Sequence, residues 1–414
     1  MCSNINDNHD HDEPDVIVYN ASKWHVAIKG ISDNLVSALQ ELGYVVFVCD
    51  CCDKGDDGFV QSINLLNSGK IKFSIGLNDI GLVWNYNDEP IYPYDVLNVP
   101  HVSITLDMPY SVYVNGFDTP CCNHIVTVID RSAVDYVKRF YPNKAGNLLF
   151  LPLAGEQGKN NIDLFNSGKT YDVVYMASLW DYGMKQSGIK RSWHDAAISS
   201  NVVHILDEVA DYLECNTDSV FNAIKKVLVL RGLCGDEYIR KILQHSWRLL
   251  FYIKTWRRIK GLEFLVKNDI KVDVFGGGWD QVTFADKLMM HDCVSYEEAL
   301  HIYAQSKILF QDAGEFNYGA NDRTFNAMLN GAVLVTEYSR YLDENFTDGQ
   351  DLFMYDWQNG EKQVGVIHEL LHDDCRRLSV ALSAYGKADK NHRWKNRVQQ
   401  ILSALNLLYG VEMK

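Results

Sequence analysis

The residues most able to do chemistry lie in one stretch, Glu315–Glu337, which reads EFNYGANDRTFNAMLNGAVLVTE. The pattern predicts a loop, a helix capped at Asn321 or the next residue, a glycine and a buried strand. The first N–H groups of a helix lack partners within it and carry the positive end of its dipole. Gly319 and Ala320 are expected to leave room for a ligand there, and Arg323 would oppose the dipole unless an anion lies beside it. The stretch therefore favours a diphosphate site, with an ordinary crossover helix bearing a surface arginine as the alternative.

Three consecutive glycines, Gly276, Gly277 and Gly278, close the predicted strand Lys271–Trp279. Glycine lets the backbone approach a ligand closely, and ligands of parallel sheets bind at the carboxyl edge of the strands. A tight turn explains the same run equally well. Ser178 closes another predicted strand and is expected at the same edge. The residues expected to bind the ligand beside the glycine run and Ser178 are Asn317, Tyr318, Gly319, Ala320, Asn321, Arg323, Thr324 and Asn326.

A carboxylate follows a predicted strand in the first half of the chain. Asp107 ends HVSITLD, and Pro109 biases Met108 toward an extended backbone, so the strand stops there and presents Asp107 at its carboxyl edge. Such a group can act as a general base or orient an acceptor hydroxyl, or it can simply cap a turn. His101 begins the same strand and is predicted to be structural.

Two further groups are interpreted mainly as structural. Arg257, Arg258 and Lys260 form a compact basic patch that can reach a pyrophosphate, but a solvated helix face is the favoured interpretation. Ser295 and Glu298 have the spacing of a capping box at the start of a helix.

The elements that must position these groups alternate between short apolar runs and helical segments. The runs in the first half, rich in β-branched and aromatic residues, predict strands buried on both faces of a parallel sheet. They lie at 15–20, 44–50, 80–86, 101–107, 124–130 and 148–153. After a mainly helical middle, the alternation resumes and predicts a second sheet. We expect an α/β protein with a tail at 1–14 and two Rossmann-like domains at 15–155 and 165–390, followed by a helix at 391–414 that packs back on the first domain.

Composition narrows the classes of function. The 414 residues carry a formal charge of −15, which disfavours binding to a nucleic-acid polymer but not to one small phosphorylated ligand. Neither a secretory signal nor an apolar run long enough to span a bilayer is apparent, and the cysteines do not suggest a disulfide scaffold. We expect a cytoplasmic protein. We also expect no metal site, because His9 and His11, which could bind a metal, lie among acidic residues in a tail that is expected to be disordered.

The stretch from Asn321 to Trp357 resembles the C-terminal region of the CgeB-type, spore-maturation-protein-like glycosyltransferases, relatives of the large retaining GT-B group. It reads NDRTFNAMLNGAVLVTEYSRYLDENFTDGQDLFMYDW, against a family pattern like N-x-R-x-F-E-A-x-A-x-G-x-x-L-L-T. The resemblance implies a GT-B fold and transfer of a sugar from a nucleotide-diphosphate donor, held by the second domain, with retention of configuration. Asn326 stands where the family usually has a ribose-binding Glu, and Tyr318 where the wider group often has an acid. Both departures bear on donor choice, and they leave an inactive domain as an alternative.

The expected reaction needs no cofactor: the nucleotide sugar, by default a UDP-sugar, is the donor substrate. Arg323 and the helix start would stabilise the leaving diphosphate, and Asp107 would serve the acceptor, whether glycan, protein or small molecule. The alternatives are a GT-B nucleotide-sugar epimerase or hydrolase, and a non-catalytic nucleotide-sugar or glycan-binding protein. A dehydrogenase is disfavoured because no G-x-G-x-x-G follows an early strand.

Overall fold

The computed structural model describes most of the chain. The described residues are 13–23, 26–51, 57–86, 89–111, 116–159, 163–166, 168–179, 184–185, 188–357 and 360–414. His9, His11 and nearly all of the expected tail lie outside them. Among the described residues, no helix combines the length and apolar character needed to cross a membrane.

The first part of the chain builds a six-stranded sheet flanked by helices. Its elements are β1 (Val16–Asn20), α1 (Val26–Glu41), β2 (Val46–Asp50), α2 (Asp57–Asn67), β3 (Phe73–Leu77), β4 (Trp84–Tyr86), β5 (Glu89–Ile91), α3 (Pro93–Leu97), β6 (His101–Ile104), β7 (His124–Val128), α4 (Ser132–Phe140) and β8 (Leu148–Phe150). The order of this first sheet is β2-β1-β3-β6-β7-β8, and every pairing is parallel. The apolar runs form strands because both faces of the sheet are covered.

One predicted strand was wrong. The run 80–86 does not enter the sheet: its end, β4, pairs with β5 in a separate antiparallel hairpin. The strand of the sheet is β3, Phe73–Leu77, whose five residues are all buried. Both runs are short and apolar, and only pairing with β1 and β6 distinguishes them.

The second part of the chain builds another parallel six-stranded sheet. Its elements are β9 (Tyr171–Met176), β10 (Met184–Lys185), β11 (Gly188–Ile189), α5 (Ser200–Cys215), α6 (Val220–Leu230), α7 (Asp236–Leu243), α8 (Ser246–Lys267), β12 (Asp273–Phe275), β13 (Met289–His291), α9 (Tyr296–Ala304), β14 (Ser306–Gln311), α10 (Asp322–Leu329), β15 (Val333–Glu337), α11 (Arg340–Asn345), β16 (Phe353–Tyr355), α12 (Gly360–His372), α13 (Asp374–Asn391) and α14 (Trp394–Tyr409). The order of this second sheet is β13-β12-β9-β14-β15-β16. The fold class is therefore α/β with two Rossmann-like sheets, as expected from the sequence.

Helices α5, α6 and α7 fall within the expected second domain, 165–390, but the structure packs them on the first. Their buried faces belong to the apolar cluster around the first sheet, which we call the N-terminal core. Phe221 of α6 contacts the ring of Tyr136 on α4 with centroids 5.5 Å apart, and Arg139 pairs with Asp236 of α7. Their helical periodicity was visible in the sequence, but the surface that covers them was not.

The C-terminal helix α14 packs along α1 and buries Trp394, Val398 and Leu405 in the N-terminal core. The chain between the two sheets is held in place rather than loose. The amide of Gly155 donates to the carbonyl of His392 at 3.0 Å, and Glu156 pairs with Arg393 at 2.6 Å.

Candidate functional site

The second sheet has a topological switch point between β9 and β14. After β9, the chain adds β12 and then β13 on one side of β9. It then returns and adds β14, β15 and β16 on the other side. Ligands of open parallel sheets bind outside the carboxyl ends of the strands at such a point. Here the strand ends bring Met176 and Ser178 close to Asp312, the residue that follows β14.

Helix α8 places basic side chains at this switch point, because the helix packs in both hydrophobic cores. Its first turns, with Leu249 and Ile253, lie in the N-terminal core, and its later turns, with Leu262 and Leu265, lie in the core around the second sheet. The segment between the two carries the basic residues. These are Lys254, Arg257, Arg258 and Lys260.

The interpretation of this basic patch as a solvated helix face was wrong for both arginines. The side chains of Arg257 and Arg258 are only 1% and 12% exposed, whereas Lys260 is 44% exposed and pairs with Glu263. A surface interpretation is the default for an isolated basic patch, because Lys and Arg are rarely buried. The arginines are buried here because α8 packs between two hydrophobic cores and lies beside the buried carboxylates of Glu337 and Asp312.

Arg258 and Arg323 both lie near Asp312 at the carboxyl ends of the strands. Arg258 donates Nη1 to the carbonyl of Ser178, and its Nε lies 3.8 Å from Asp312 Oδ2. Arg323 donates Nη1 to the carbonyl of Met176 at 2.7 Å. Burial alone would raise the pKa of Asp312, but the two guanidinium groups outweigh burial and hold it below its ordinary value.

Arg257 has a different role, because its contacts stabilise the loop before α10. Its Nε lies 3.2 Å from Glu337 Oε1, and its Nη1 donates to Asn317 Oδ1 at 3.1 Å. Trp357 also donates to Glu337, at 2.8 Å. Asn317, expected to bind a ligand, is 1% exposed, so its side chain holds the loop instead of facing an open site.

The glycine run after β12 is explained only partly by room for a ligand. Gly276 and Gly278 have φ of 144° and 86°, and a Cβ there would lie 2.4 Å from the carbonyl oxygen of Ala177 and 2.5 Å from that of Leu179. Gly277 differs, because no atom of the described chain beyond its two sequence neighbours lies within 4 Å of a Cβ built on it. Its amide donates to Ser178 Oγ at 3.1 Å, so the run and Ser178 do share one edge.

The start of α10 forms as predicted, but its surroundings differ from the expectation. Asn321 caps the helix by accepting from the amide of Thr324 at 3.1 Å. Gly319 does not leave room for a ligand on its Cβ side: a Cβ there would lie 2.1 Å from the carbonyl oxygen of Ile129, from the first sheet. Ala320 is 3% exposed, and its carbonyl accepts from the amide of Leu153. The small residues here let the two halves approach each other.

Three further expected site residues are already engaged by protein groups. Asn326 Oδ1 accepts from the amide of Glu156 at 2.9 Å and from the hydroxyl of Tyr296 at 3.1 Å. The hydroxyl of Tyr318 donates to Asp218 at 3.1 Å. Thr324 Oγ1 accepts from Gln311 at 2.8 Å.

Asp107 lies on the opposite side, at the carboxyl end of β6. It is half-buried and accepts from Asn78 Nδ2 at 2.8 Å. Across from it is Glu315, which is 6% exposed and lies 3.4 Å from Lys254 Nζ. Burial raises the pKa of Glu315; Lys254 opposes that rise and Asp107 adds to it. The two halves of the chain therefore bring one carboxyl group each toward the same cationic helix.

Sequence reasoning missed Asp312, Glu315 and Lys254 as members of this site. A signal for Asp312 was present, since it lies at the carboxyl end of the predicted strand 307–313, much as Asp107 ends the predicted strand 101–107. Lys254 carried no such signal. Within the residues whose placement is described, no group of three or more His, Cys, Asp or Glu side chains is arranged to hold a metal ion.

Comparison with known proteins now adds to this geometry. Residues 253–403, which include Lys254, Arg257, Arg258, Asp312 and α10, match the model of a family described as glycosyl transferase-like. This part of the chain is therefore similar to that family. No curated protein matches the sequence.

Two solved structures share the fold at low sequence identity. HepE from Anabaena, solved in complex with UDP-glucose, is 10% identical with a TM-score of 0.50, and the alignment covers 95% of this chain and 99% of that one. Sucrose-phosphate synthase from Thermosynechococcus elongatus is 10% identical with a TM-score of 0.51, covering 97% and 100%. The two-sheet architecture is thus the GT-B fold, as the sequence predicted.

Proposed function

We propose that this protein transfers a sugar from a nucleotide-diphosphate sugar to an acceptor hydroxyl. The observation that carries the proposal is the convergence of Arg258 and Arg323 at the switch point of the second sheet, inside the glycosyl transferase-like segment. Buried guanidinium groups suit a diphosphate, because they offer several N–H donors in a fixed plane and stay charged.

In this reaction the leaving diphosphate gains negative charge as the glycosidic bond to the nucleotide breaks. Arg258 and Arg323 would stabilise that charge, with Lys254 nearby and the open side of Gly277 accommodating the phosphates. Side chains that already carry positive charge support a reaction without a metal ion. Asp107, at the facing edge, would accept the proton of the acceptor hydroxyl.

The finer assignments rest on the resemblance of the sequence. We propose a CgeB-type hexosyltransferase that retains anomeric configuration and uses a UDP-sugar by default. HepE, which shares the fold, was solved with UDP-glucose, and this supports testing UDP-sugars first.

A second candidate is a non-catalytic nucleotide-sugar or glycan-binding protein. Asn326 and Tyr318 favour it, because both replace carboxylates of the resembled families and both already bond to protein groups. Retained nucleotide binding without turnover would identify this candidate. Release of the sugar in the absence of any acceptor would identify an epimerase or hydrolase instead.

Thermal unfolding with UDP, GDP, dTDP, ADP or NAD, with and without Mg²⁺, tests the proposal. A ligand at about 100 times its dissociation constant stabilises by about 2.7 kcal/mol, which raises the melting temperature measurably. We expect one nucleoside diphosphate to do this without Mg²⁺, and Arg323→Ala to abolish it. Stabilisation by NAD alone, or by none of the five, would overturn the proposed function.

A further inference from the structure

Asp312 occupies the centre of the switch point but has no role in the reaction described above. It is 1% exposed, and the hydroxyl of Tyr175 donates to its Oδ2. Its other oxygen, Oδ1, accepts no hydrogen bond from another residue in the described part of the chain. A carboxylate buried this deeply costs free energy unless neighbouring positive charges compensate its negative charge.

The neighbouring cations are the two arginines assigned to the diphosphate. Arg258 and Arg323 reach the end of β9 from different helices, α8 and α10, and each donates Nη1 to a backbone carbonyl there. These hydrogen bonds to carbonyl oxygens fix one nitrogen of each guanidinium group, but they leave the plane of the group free to rotate. Asp312 lies near both groups: its Oδ2 is 3.8 Å from Arg258 Nε, and the charges of both guanidinium groups act on its carboxylate. Its negative charge attracts both and limits that rotation.

Stability alone is a weak reason for such a group. Replacing a buried ion pair by apolar residues is often neutral or stabilising, so a buried carboxylate between two arginines points to orientation rather than to folding energy. The hydroxyl of Tyr175 then serves to orient the carboxylate itself, since it donates a hydrogen bond to Oδ2.

We propose that Asp312 is a positioning residue, which holds the guanidinium groups of Arg258 and Arg323 in the orientation that the donor diphosphate requires. The inference rests on the proposed function, because it assigns Asp312 to the same site. It does not make Asp312 a catalytic residue, since its carboxylate would act through the arginines and not on the substrate.

Isothermal titration of the full chain with UDP, GDP, dTDP and ADP tests this inference. For whichever nucleotide binds the wild type most tightly, we expect Asp312→Asn to weaken binding about tenfold, as expected when charge-assisted hydrogen bonds lose their alignment. Asp312→Asn combined with Arg258→Ala should weaken binding by less than the product of the two single effects, because both changes disturb the same guanidinium.

A matched control separates positioning from folding. Asp351 is also 1% exposed and pairs with Lys387 and Ser383, away from the switch point. Asp351→Asn is expected to lower the melting temperature but to bind the nucleotide as the wild type does. If Asp312→Asn behaves in the same way, the positioning role is wrong while the proposed function stands.

A second variant keeps the test decisive if Asp312→Asn does not fold. Tyr175→Phe removes only the hydroxyl that donates to Asp312. We expect it to weaken nucleotide binding by about threefold, less than the loss of the charge itself. Unchanged binding by this variant would overturn the positioning role. If the wild type binds none of the four nucleotides, the proposed function fails together with this inference.

Discussion

Replacing Arg258 by Ala is the sharpest test of the candidate site. Sequence reasoning favoured a solvated role for this residue, whereas the structure places its guanidinium between the carbonyl of Ser178 and Asp312. A solvated arginine can be removed with little effect on ligand binding. An arginine at the diphosphate cannot, so the variant discriminates between the two interpretations.

The expected magnitude follows from the hydrogen bonds that Arg258 has free. A guanidinium has five N–H donors, and Nη1 is directed to Ser178 while Nε makes no hydrogen bond within the described residues. A hydrogen bond to a charged group contributes about 1.5–3 kcal/mol, so losing one weakens nucleotide binding by about 10- to 100-fold. At a concentration about 100 times the wild-type dissociation constant, a variant weakened about 30-fold would be stabilised by about 0.9 kcal/mol instead of about 2.7.

The assay is thermal unfolding with and without the nucleoside diphosphate, followed by calorimetric titration. Arg376→Ala is the matched control, because Arg376 also donates to a backbone carbonyl, that of Gly349, but lies on α13. The control should keep the full ligand-induced stabilisation. Equal stabilisation of Arg258→Ala and wild type by the nucleotide would refute the assignment of Arg258 to the diphosphate.

Three further predictions address the facing edge, the contact between the halves and a buried carboxyl group. Asp107→Asn should lower kcat for sugar transfer by about 100-fold or more while leaving nucleotide affinity unchanged, which steady-state kinetics and titration can separate. Gly319→Ala should destabilise the protein by about 1–3 kcal/mol, because its Cβ would overlap the carbonyl oxygen of Ile129. The same change at Gly365, exposed on α12 with no described atom near its Cβ, should stabilise by up to about 1 kcal/mol. Burial raises the pKa of Asp130 from 3.8 to about 6, so the folded protein holds this proton more tightly than the unfolded chain does. The stability advantage of the wild type over Asp130→Asn should therefore be largest below about pH 3.8 and fall by about 3 kcal/mol as the pH rises through about 6, and a constant difference in urea unfolding would contradict it.

Local patterns in the sequence predicted much of the architecture. Most strands of both sheets, the cap at Asn321 and the capping box of Ser295 and Glu298 formed as expected. Such features depend on residues close together in the chain, so a single sequence is enough to predict them. The strand β3 was missed, since two neighbouring apolar runs competed and only sheet pairing distinguishes them.

The sequence by itself determined the α/β class, most of the order of strands and helices, the start of α10 and the edge positions of Ser178 and Asp107. Only the tertiary structure decided that α8 passes through both cores, which buries Arg258 beside Asp312, and that Gly319 serves the contact between the halves. The physical reason is range. Helix caps and apolar periodicity act over a few residues, whereas the burial of a charge depends on partners such as Asp312, 54 positions from Arg258 by difference of their residue numbers.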